Sequence, residues 1–392
     1  MVPPASPSTF PLGAGVTIDD LTADPYPVLA NLRANEPVSW VPALDAWFIT
    51  RRDLAIIAMR DAETFTVDDP RFTTAAILGD SMLNKDGAEH QRHRSPFTSA
   101  FRVPVLREKF DDFLAAQSNS LIESFAERGE AELRTELAGP LAVNTITEFL
   151  GLQDVTAEEV LSWYTRIAEA IVDLTLGGDV SDANRLAVDE VYRRVSQSLA
   201  TSDDSLLHDI RDQALLRPEE VTPAAVVIMF GAIETAEGMT ANALWHLLSH
   251  PEALARVRAD RTLVGAVVEE SLRMEPAAAV VDRYTTTDVE IGGVTIPAGD
   301  LVTISLLGAN RDPENFEQPD DFNIDRTNSR QHVTFVQGPH GCLGLHLTRM
   351  ETHAAINALL DRFDNIDLDE SQTDAPSGLI FRKPARLTVS FS

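Results

Sequence analysis

The feature that most constrains the fold of this 392-residue chain is one long apolar segment between Thr222 and Pro251. Thr222 is a favourable N-cap, Pro223 suits the first helical position, and no further proline follows until Pro251. About 27 residues at 1.5 Å each give a helix of roughly 40 Å, which is long enough to cross a whole domain. Because the residues from Val226 to Phe230 are apolar without interruption, we expect this helix to be buried.

A polar pair, Glu234 and Thr235, interrupts this helix within the run Gly231 to Gly238. An acid and a hydroxyl inside a buried helix are costly unless they are satisfied or used. One interpretation is structural, because a threonine hydroxyl can bond back to the carbonyl four residues earlier and bend the helix. The other interpretation is chemical, and the two are compatible.

The remaining periodicity indicates a mainly α fold with a minor β part. From Asp111 to about Arg273 the pattern is mainly helical. Breaks are predicted near Gly151, Gly177-Gly178 and Arg217-Pro218, strands at residues 40–42, 46–50, 301–307 and 378–391, and a hairpin at residues 289–297 around Gly292-Gly293. Without a repeat or long linker, we expect one domain over residues 1–392, including a Pro/Ser-rich N-terminal arm at residues 1–15.

The charge and the composition exclude several classes of protein. The formal charge is −29, from 32 basic and 61 acidic residues, which argues against nucleic acid and anionic membranes as partners. The N-terminus has no basic segment followed by an apolar one, and no uninterrupted apolar run approaches the ~20 residues needed to span a bilayer. A single cysteine fits a reducing compartment. We therefore expect a soluble, cytoplasmic protein.

Cys342 is the only cysteine, so its value lies in its own thiol. It lies in the run Phe-Val-Gln-Gly-Pro-His-Gly-Cys-Leu-Gly at residues 335–344, whose glycines let the backbone pass close to a flat, bulky group. A helix is predicted from near Gly344, and its positive end favours a thiolate, which is a good axial ligand for haem iron. A lone cysteine can also be a small buried hydrophobe. A dinucleotide loop is a poor alternative, because no strand leads into these glycines.

This run resembles the haem-ligand loop of the cytochrome P450 family, Phe-Gly-x-Gly-x-His-x-Cys-x-Gly. The matching residues are Phe335, Gly338, His340, Cys342 and Gly344. Val336 stands where the family usually has glycine. The resemblance extends over nearly the whole chain and implies a triangular, helix-rich prism around a buried haem b. It also implies that Cys342 is the metal ligand and that the other four matching residues bind the cofactor.

The segment with the polar pair resembles the P450 oxygen-binding helix, Ala/Gly-Gly-x-Asp/Glu-Thr. Glu234 and Thr235 match the acid and the threonine, and Ala232 stands where glycine is usual. The resemblance implies that both matching residues are catalytic. Thr235 would hold an oxygen or a water by a hydrogen bond, and Glu234 would relay protons from solvent.

Basic residues from three segments are candidate partners for the haem propionates. The run His90-Gln91-Arg92-His93-Arg94 resembles the family's His-x-x-x-Arg and gives His90 and Arg94. Arg283 matches the arginine on the other side, and His340 gives a third contact. Each could also be an ordinary solvated base, but together they supply the cations that the anionic edge of haem requires.

Glu270 and Arg273 lie three residues apart, which is an ordinary helix ion pair when it stands alone. About 70 residues before the cysteine, the pair resembles the P450 Glu-x-x-Arg motif, which supports the haem loop. The family usually adds a third, basic partner, but Asp320-Asp321 occupies its common position here. Arg326 and His332 are the two candidates for that role.

The resemblance implies a monooxygenase that inserts one oxygen atom from O₂ into a small apolar organic substrate. The substrate would contact the mostly apolar residues at 72–83, 163–176, 227, 230, 231, 277–281 and 378–381. No flavin or nicotinamide domain is expected, so the electrons would come from a ferredoxin with its reductase or from a flavodoxin. The donor is expected near the locally basic residues Arg92, Arg94, His346 and Arg349.

Two alternatives stay open. One is a peroxide-driven haem-thiolate peroxygenase, for which Glu234 and Thr235 would be superfluous. The other is a non-catalytic haem-binding or ligand-sensing protein.

Overall fold

The computed structural model describes residues 9–152, 155–175, 178–201, 210 and 215–391, and helices dominate these ranges. The α-helices are α1 (Pro11–Ala14), α2 (Ile18–Thr22), α3 (Tyr26–Asn35), α4 (Arg52–Arg60), α5 (Thr73–Leu78), α6 (Gly87–Thr98), α7 (Val103–Glu123), α8 (Gly139–Leu150), α9 (Ala157–Thr175), α10 (Asp182–Thr201), α11 (Pro218–Leu248), α12 (Pro251–Ala259), α13 (Val264–Met274), α14 (Leu306–Asn310) and α15 (Leu345–Arg362). A π-helical turn at Arg134–Ala138 leads into α8. The prediction of a mainly α fold is confirmed.

The strands form the predicted minor β part. They are β1 (Val38–Val41), β2 (Ala46–Ile49), β3 (Phe65–Thr66), β4 (Glu130–Glu132), β5 (Val280–Thr285), β6 (Val289–Ile291), β7 (Val294–Ile296), β8 (Leu301–Ser305), β9 (Ile366–Leu368) and β10 (Thr388–Phe391). One sheet has the order β1-β2-β8-β5-β3, in which only β2 and β8 are parallel, and a second has the order β4-β10-β9. β6 and β7 form the predicted hairpin, with Gly292 and Gly293 at φ +60° and +78° as a tight turn requires.

The long helix α11 is buried, as its composition predicts, but its predicted start was wrong. It begins at Pro218, four residues before Thr222, and runs for 31 residues. Arg217 is the N-cap, and its backbone N–H donates to the Glu220 carboxylate at 2.9 Å. Pro218 suits the first helical position as well as Pro223 does, so the capping interaction with Glu220 decides the start.

α11 crosses the helical core and packs against α8, α10, α13 and α15. Val226, Met229 and Ile233 belong to this core and are almost inaccessible to solvent. From Glu219 to Leu248 the helix is long and apolar enough to cross a membrane by length and composition alone, but most of that stretch is buried inside the protein. Its apolar surface is therefore accounted for by packing.

Three local predictions differ from the structure. The strand predicted at residues 301–307 ends at Ser305, because the Ser305 hydroxyl caps α14 by accepting from the Gly308 N–H at 3.0 Å. The tail at residues 378–391 contains only one strand, β10, and two isolated bridges, which pair Ala278 with Phe381 and Ser377 with Lys383. In the predicted N-terminal arm, α1 is ordered helix, while residues 1–8 lie outside the described residues, as does Gly177 of a predicted break.

Candidate active site

A cavity of about 370 Å³ separates α11 from the loop that leads into α15. Both predicted centres of chemistry reach it, because Thr235 lines it from α11 and Cys342 lines it from the loop. The lining also includes Met82, Leu83, Phe101, Ile146, Val227, Phe230, Gly231, Ala232, His340, Gly341, Gly344 and Phe381. Most of these side chains are apolar, so the cavity suits an apolar molecule.

The Cys342 loop is a compact turn closed by its own backbone. The Cys342 N–H donates to the Phe335 carbonyl at 2.8 Å, and the Gly341 N–H donates to the Gly338 carbonyl at 3.1 Å. Gly338 has φ +79°, and a Cβ there would lie 2.7 Å from the Met59 carbonyl oxygen and 2.8 Å from the Arg60 Cα. This glycine is therefore required both by its conformation and by the close approach of α4.

Val336, where the family usually has glycine, keeps the turn by adopting the left-handed conformation itself. Its φ is +63°, which is costly for a β-branched residue. Its N–H donates to the Val333 carbonyl at 2.8 Å, and its side chain packs against the cluster around β8 and α4. The valine therefore adds backbone strain to the loop.

The acidity of the Cys342 thiol is set by opposing effects. Burial raises the pKa of the thiol and outweighs the N–H groups of Gly344 and Leu345 and the charges of Arg94 and Arg349, which lower it. The N–H groups at the start of α15 therefore act in the predicted direction, but they do not by themselves favour the thiolate. A bound metal ion holds a thiol deprotonated, so the thiolate form belongs to the loaded site.

Glu234 and Thr235 point in different directions from α11. The Thr235 hydroxyl lines the cavity and donates to the Gly231 carbonyl at 2.6 Å, which is the back-bond expected for threonine in a helix. The Glu234 carboxylate instead forms an ion pair with Lys383 at 2.9 Å. Neighbouring helical positions differ by about 100°, so one residue can face the cavity while the next faces the tail of the chain.

The predicted propionate partners come together beside the Cys342 loop. The rings of His90 and His340 lie 4.4 Å apart, and Arg94 donates to the Gly341 carbonyl. The buried atoms His90 Nε2 and Arg283 Nε have no hydrogen-bond partner among the described residues. Burial, followed by the positive charges of His340 and Arg94, lowers the pKa of His90 to about 4. The unpaired His90 nitrogen, on a ring that contacts His340 of the cavity lining, and the unpaired Arg283 N–H fit a cofactor that carries carboxylates, as haem does.

The sequence interpretation missed Asp86, which precedes α6 and holds His340. Its carboxylate pairs with His340 Nε2 at 2.7 Å and accepts from the Thr66 hydroxyl at 2.6 Å and the Val67 N–H at 2.9 Å. Although burial raises the pKa of Asp86, these hydrogen bonds outweigh it and lower the pKa to about 2. An aspartate just before a helix indicates an N-cap, and nothing in the sequence shows that this one turns to His340 instead.

A second missed residue, Glu351 of α15, lines the same cavity. Burial raises its pKa well above the usual range of a carboxyl group. Its position on the buried face of α15 could have been noticed as an acid within an apolar pattern.

Beneath the loop lies a group of three charged residues, Glu270, Arg273 and Arg326, which we call the buried cluster. Arg273 forms a two-pronged ion pair with Glu270 at 2.8 and 2.9 Å, and Arg326 contacts the same carboxylate at 2.9 Å. Arg326 is therefore the third partner, whereas His332 pairs with Glu269 at 3.3 Å. The helix that carries Glu270 and Arg273 also holds the segment before the loop, because the Leu272 carbonyl of α13 accepts from the Thr334 hydroxyl at 2.6 Å.

The two basic groups predicted to receive an electron donor are largely neutralised. Arg92 pairs with Glu89 and Glu220, and Arg349 pairs with Glu269 at 2.6 Å. Arg94 lines the cavity rather than an outer surface. Acidic neighbours therefore balance Arg92 and Arg349, and Glu220 and Glu269 come from other elements than their partners, while docking of a donor near these bases stays a prediction.

The predicted substrate contacts are reproduced in part. Residues 74, 82 and 83, three positions of α11 and Phe381 line the cavity. From α9, Tyr164 does not line the cavity but stacks on Phe230 with ring centroids 5.0 Å apart. Ala277 packs against Gly238 of α11 instead, where a Cβ would come within 2.8 Å of it.

The comparisons agree on one family. A family model described as Cytochrome P450 matches residues 187–391, which include α11, the buried cluster and the Cys342 loop. Cytochrome P450 monooxygenase PikC of Streptomyces venezuelae is 32% identical over 398 residues, which cover 94% of this chain and 90% of that protein. Cytochrome P450 107B1 of Saccharopolyspora erythraea is 31% identical and covers 91% of this chain and 92% of its own length. The solved structure of CalO2 has a TM-score of 0.87 at 28% identity and covers 96% of this chain and 99% of its own.

Proposed function

This chain belongs to the cytochrome P450 family, and from that premise we propose that it inserts one oxygen atom of O₂ into an apolar organic substrate in the cytoplasm. It is a monooxygenase with haem b as its cofactor. The observation that carries the proposal is that the Cys342 thiol and the Thr235 hydroxyl line the same apolar cavity. When haem is bound, its iron, ligated by Cys342, supplies the chemistry that activates O₂.

The residues of the chain would prepare that chemistry in three ways. His90, Arg94, Arg283 and His340 would hold the propionates and so fix the orientation of the cofactor. The apolar lining would bind the substrate and exclude water. Thr235 would hold a water or an O₂ molecule by a hydrogen bond, and Glu234 would supply protons from the outer side of α11.

We further propose that the electron donor is a separate ferredoxin or flavodoxin, which docks at a groove of about 610 Å³ between α7 and α15. The exposed residues Arg107, Arg330 and His346 line this groove, and α15 lines both the groove and the cavity of Cys342. Opposite charges would steer an acidic donor to these residues, and salt would screen the attraction. Arg107→Glu should slow reduction by an acidic ferredoxin, because Arg107 is exposed in this groove. Arg330 and Arg349 are poorer tests, because both contact Glu269, at 3.8 and 2.6 Å, and their replacement would also disturb that carboxylate.

The ligand is tested first by spectroscopy. The reduced wild-type protein with CO should absorb near ~450 nm, the mark of a thiolate-bound haem. Cys342→Ser should lose this band, because the chain has no second cysteine. A band only near ~420 nm in folded wild-type protein would contradict the assignment of Cys342.

The use of O₂ is tested by coupling, which is the product formed per NAD(P)H consumed. Thr235→Ala should keep haem and substrate binding but divert reducing equivalents to hydrogen peroxide, within the ~10²–10⁴-fold range of general acid–base contributions. Unchanged coupling, with strong wild-type turnover on added peroxide alone, would favour the peroxygenase. Absence of turnover with any donor would favour a non-catalytic ligand-binding protein.

A further inference from the structure

Glu234 belongs to a network of four charged residues close to Thr235 and Phe381 of the cavity lining, and we call this network the edge cluster. Lys383 Nζ lies 2.9 Å from Glu234 Oε1 and 2.9 Å from Glu237 Oε2, and Arg134 Nη1 lies 2.9 Å from the other oxygen of Glu237. Two acids from α11 therefore face one base from the tail and one from the π-helical turn. The four side chains are 8–25% exposed, so water reaches the network from outside.

The position of Lys383 is fixed by its neighbours in the sequence. Arg382 is buried and donates to the Glu275 carboxylate at 2.7 Å and to the Pro376 carbonyl at 2.7 Å. The Arg382 N–H also donates to the Ala277 carbonyl at 2.8 Å. Phe381, on the other side of this anchor, lines the cavity. One tripeptide thus places a substrate-facing ring, a buried anchor and the partner of Glu234 in succession.

Gly238 of α11 faces both Ala277 and this tripeptide. Gly238 lies one turn after Glu234, and a Cβ there would meet the Ala277 Cβ at 2.8 Å, the Arg382 carbonyl oxygen at 3.5 Å and the Lys383 Cβ at 3.7 Å. An alanine at position 238 would therefore clash with Ala277, whereas its contacts with Arg382 and Lys383 would be at ordinary van der Waals distances.

We propose that Lys383 is a positioning residue for the reaction in this cavity, an inference that rests on the proposed function. It holds the Glu234 carboxylate beside the substrate-facing tail and thereby sets how efficiently Glu234 passes protons to the cavity. Lysine suits this task because its three N–H donors can serve two carboxylates at once. The chain uses lysine at only three positions, 85, 109 and 383, and arginine elsewhere.

The charges around Lys383 make the proposal testable by pH. The groups that face it are Glu234 and Glu237 of α11, Arg134 of the π-helical turn and Tyr164 of α9. Burial raises the pKa of Tyr164, and the negative charge of Glu234 raises it further, so the Tyr164 hydroxyl stays neutral. Two acids and two bases balance in the native network. Without Lys383, the carboxylates of Glu234 and Glu237 have only Arg134 as a basic partner. Because two negative charges then face one positive charge, binding of a proton to one of the carboxylates is favoured.

The central experiment compares coupling in wild type, Lys383→Met and Lys383→Arg across pH. The assay uses one donor and one apolar compound that gives a low-to-high-spin Soret shift in wild type. Lys383→Met should lower coupling about tenfold or more, since a misplacement of about 1 Å can cost 10²-fold. The acidic limb of its coupling profile should move upward by about one pH unit or more. Lys383→Arg should keep much of the wild-type coupling and of the wild-type pH profile, because it keeps the positive charge.

Lys85→Met is the matched control. Lys85 lies 3.1 Å from Asp80 and 3.8 Å from Asp68, and its side chain is 21% exposed against 18% for Lys383. Lys85→Met also leaves two carboxylates without their lysine partner, but these carboxylates lie away from Glu234. The variant should therefore leave coupling and its pH profile unchanged. Equal changes in Lys85→Met and Lys383→Met would overturn the proposal by showing a general loss of stability.

A second measurement needs no turnover. The melting temperatures of Lys383→Met, Glu234→Gln and the double variant form a cycle, in which the double variant should melt higher than additive effects require. Additive shifts, or wild-type coupling in Lys383→Met, would overturn the inference. If wild type itself forms no product with donor and substrate, the proposed function fails, and the melting cycle still decides whether Lys383 holds Glu234.

Discussion

The buried cluster and the edge cluster join acids of a helix to bases from distant segments, yet they differ in their contact with water. In the buried cluster Glu270 and Arg273 are fully inaccessible and Arg326 is 6% exposed, whereas Lys383 and Arg134 of the edge cluster are 18% and 25% exposed. Removing one partner of a sealed ion pair strands a charge, but water can replace a partner at the edge. The first arrangement suits a permanent frame for the Cys342 loop, and the second suits a group that exchanges protons.

The largest expected effect is in the buried cluster. Arg273→Leu removes the two-pronged partner of Glu270 and leaves the carbonyls of Asn310 and Pro319 without their side-chain donor. Breaking a buried pair in this way costs about 3–5 kcal/mol, so the free energy of unfolding should fall by this amount and the haem content with it. Denaturant titration and the Soret absorbance measure both.

Arg386→Leu is the control for this change. It breaks an exposed pair with Asp374 at 3.3 Å, where 59% and 42% of the side chains are exposed. Such pairs contribute about 0–1 kcal/mol. Equal losses in Arg386→Leu and Arg273→Leu would refute the idea that burial separates the two kinds of cluster.

The next largest effect is expected at His246, a buried base of α11 without a hydrogen-bond partner among the described residues. His246 of α11 stacks on Phe322 with ring centroids 4.8 Å apart, and neither of its ring nitrogens has a partner among the described residues. Burial, followed by the charges of Arg311, His250 and Arg273, lowers the pKa of His246 well below its usual value.

The pH dependence follows from this direction. The unfolded chain takes up a proton at His246 below about pH 6.5 while the native protein does not, so the native state loses about 2 kcal/mol between pH 6.5 and pH 5. His246→Phe should abolish this contribution and keep the stacking. Between pH 8 and pH 5, the free energy of unfolding from denaturant titration should therefore change less in the variant than in wild type. An equal change in the two proteins would show that His246 is protonated in the native protein.

A smaller effect is expected at the edge cluster. Glu237→Gln keeps the shape of the side chain but removes its charge. The free energy of unfolding should fall by about 1 kcal/mol, because Lys383 keeps Glu234 as a partner and is partly hydrated. Salt at 1 M should reduce the difference, since the pair is accessible to ions. The exposed Glu370 offers the control variant Glu370→Gln. A fall of more than about 3 kcal/mol in the free energy of unfolding would show that the edge cluster behaves like the buried cluster.

The smallest effect tests how firmly the buried cluster holds the loop above it. Val336→Gly relieves about 1–2 kcal/mol of left-handed backbone strain. It also loses side-chain packing and gives the unfolded chain more conformational freedom, so the free energy of unfolding should change by less than about 1 kcal/mol. Val333→Gly, at a fully buried position with ordinary φ, should cost about 3 kcal/mol or more. Similar losses at the two positions would show that Val336 is not strained.

The sequence predicts the parts of the site that depend on local spacing. The Cys342 loop, the Glu270–Arg273 pair and the burial of α11 follow from residues within a few positions of one another. The third partner, Arg326, could not be separated from His332, because only the fold shows which base reaches Glu270. The pairing of Asp86 with His340 was missed for the same reason, since the two residues are 254 positions apart.

The start of α11 and the basic groups show two further limits. Two prolines compete for the first helical position, and a side-chain hydrogen bond from Glu220 decides between them. Local charge counting placed a basic patch at Arg92 and Arg349, although each has an acidic partner from another element. Lys383 gave no local signal, because its role depends on contacts with α11.

The succession of Phe381, Arg382 and Lys383 has a consequence for attempts to alter this enzyme in the laboratory. A selection for bulkier substrates would act on Phe381, which lines the cavity. Its peptide is continuous with the anchor and with the partner of Glu234, so a shift of the backbone there also moves Lys383. Variants chosen only for substrate range would therefore drift in the share of reducing power that ends in peroxide, and the two traits should be screened together.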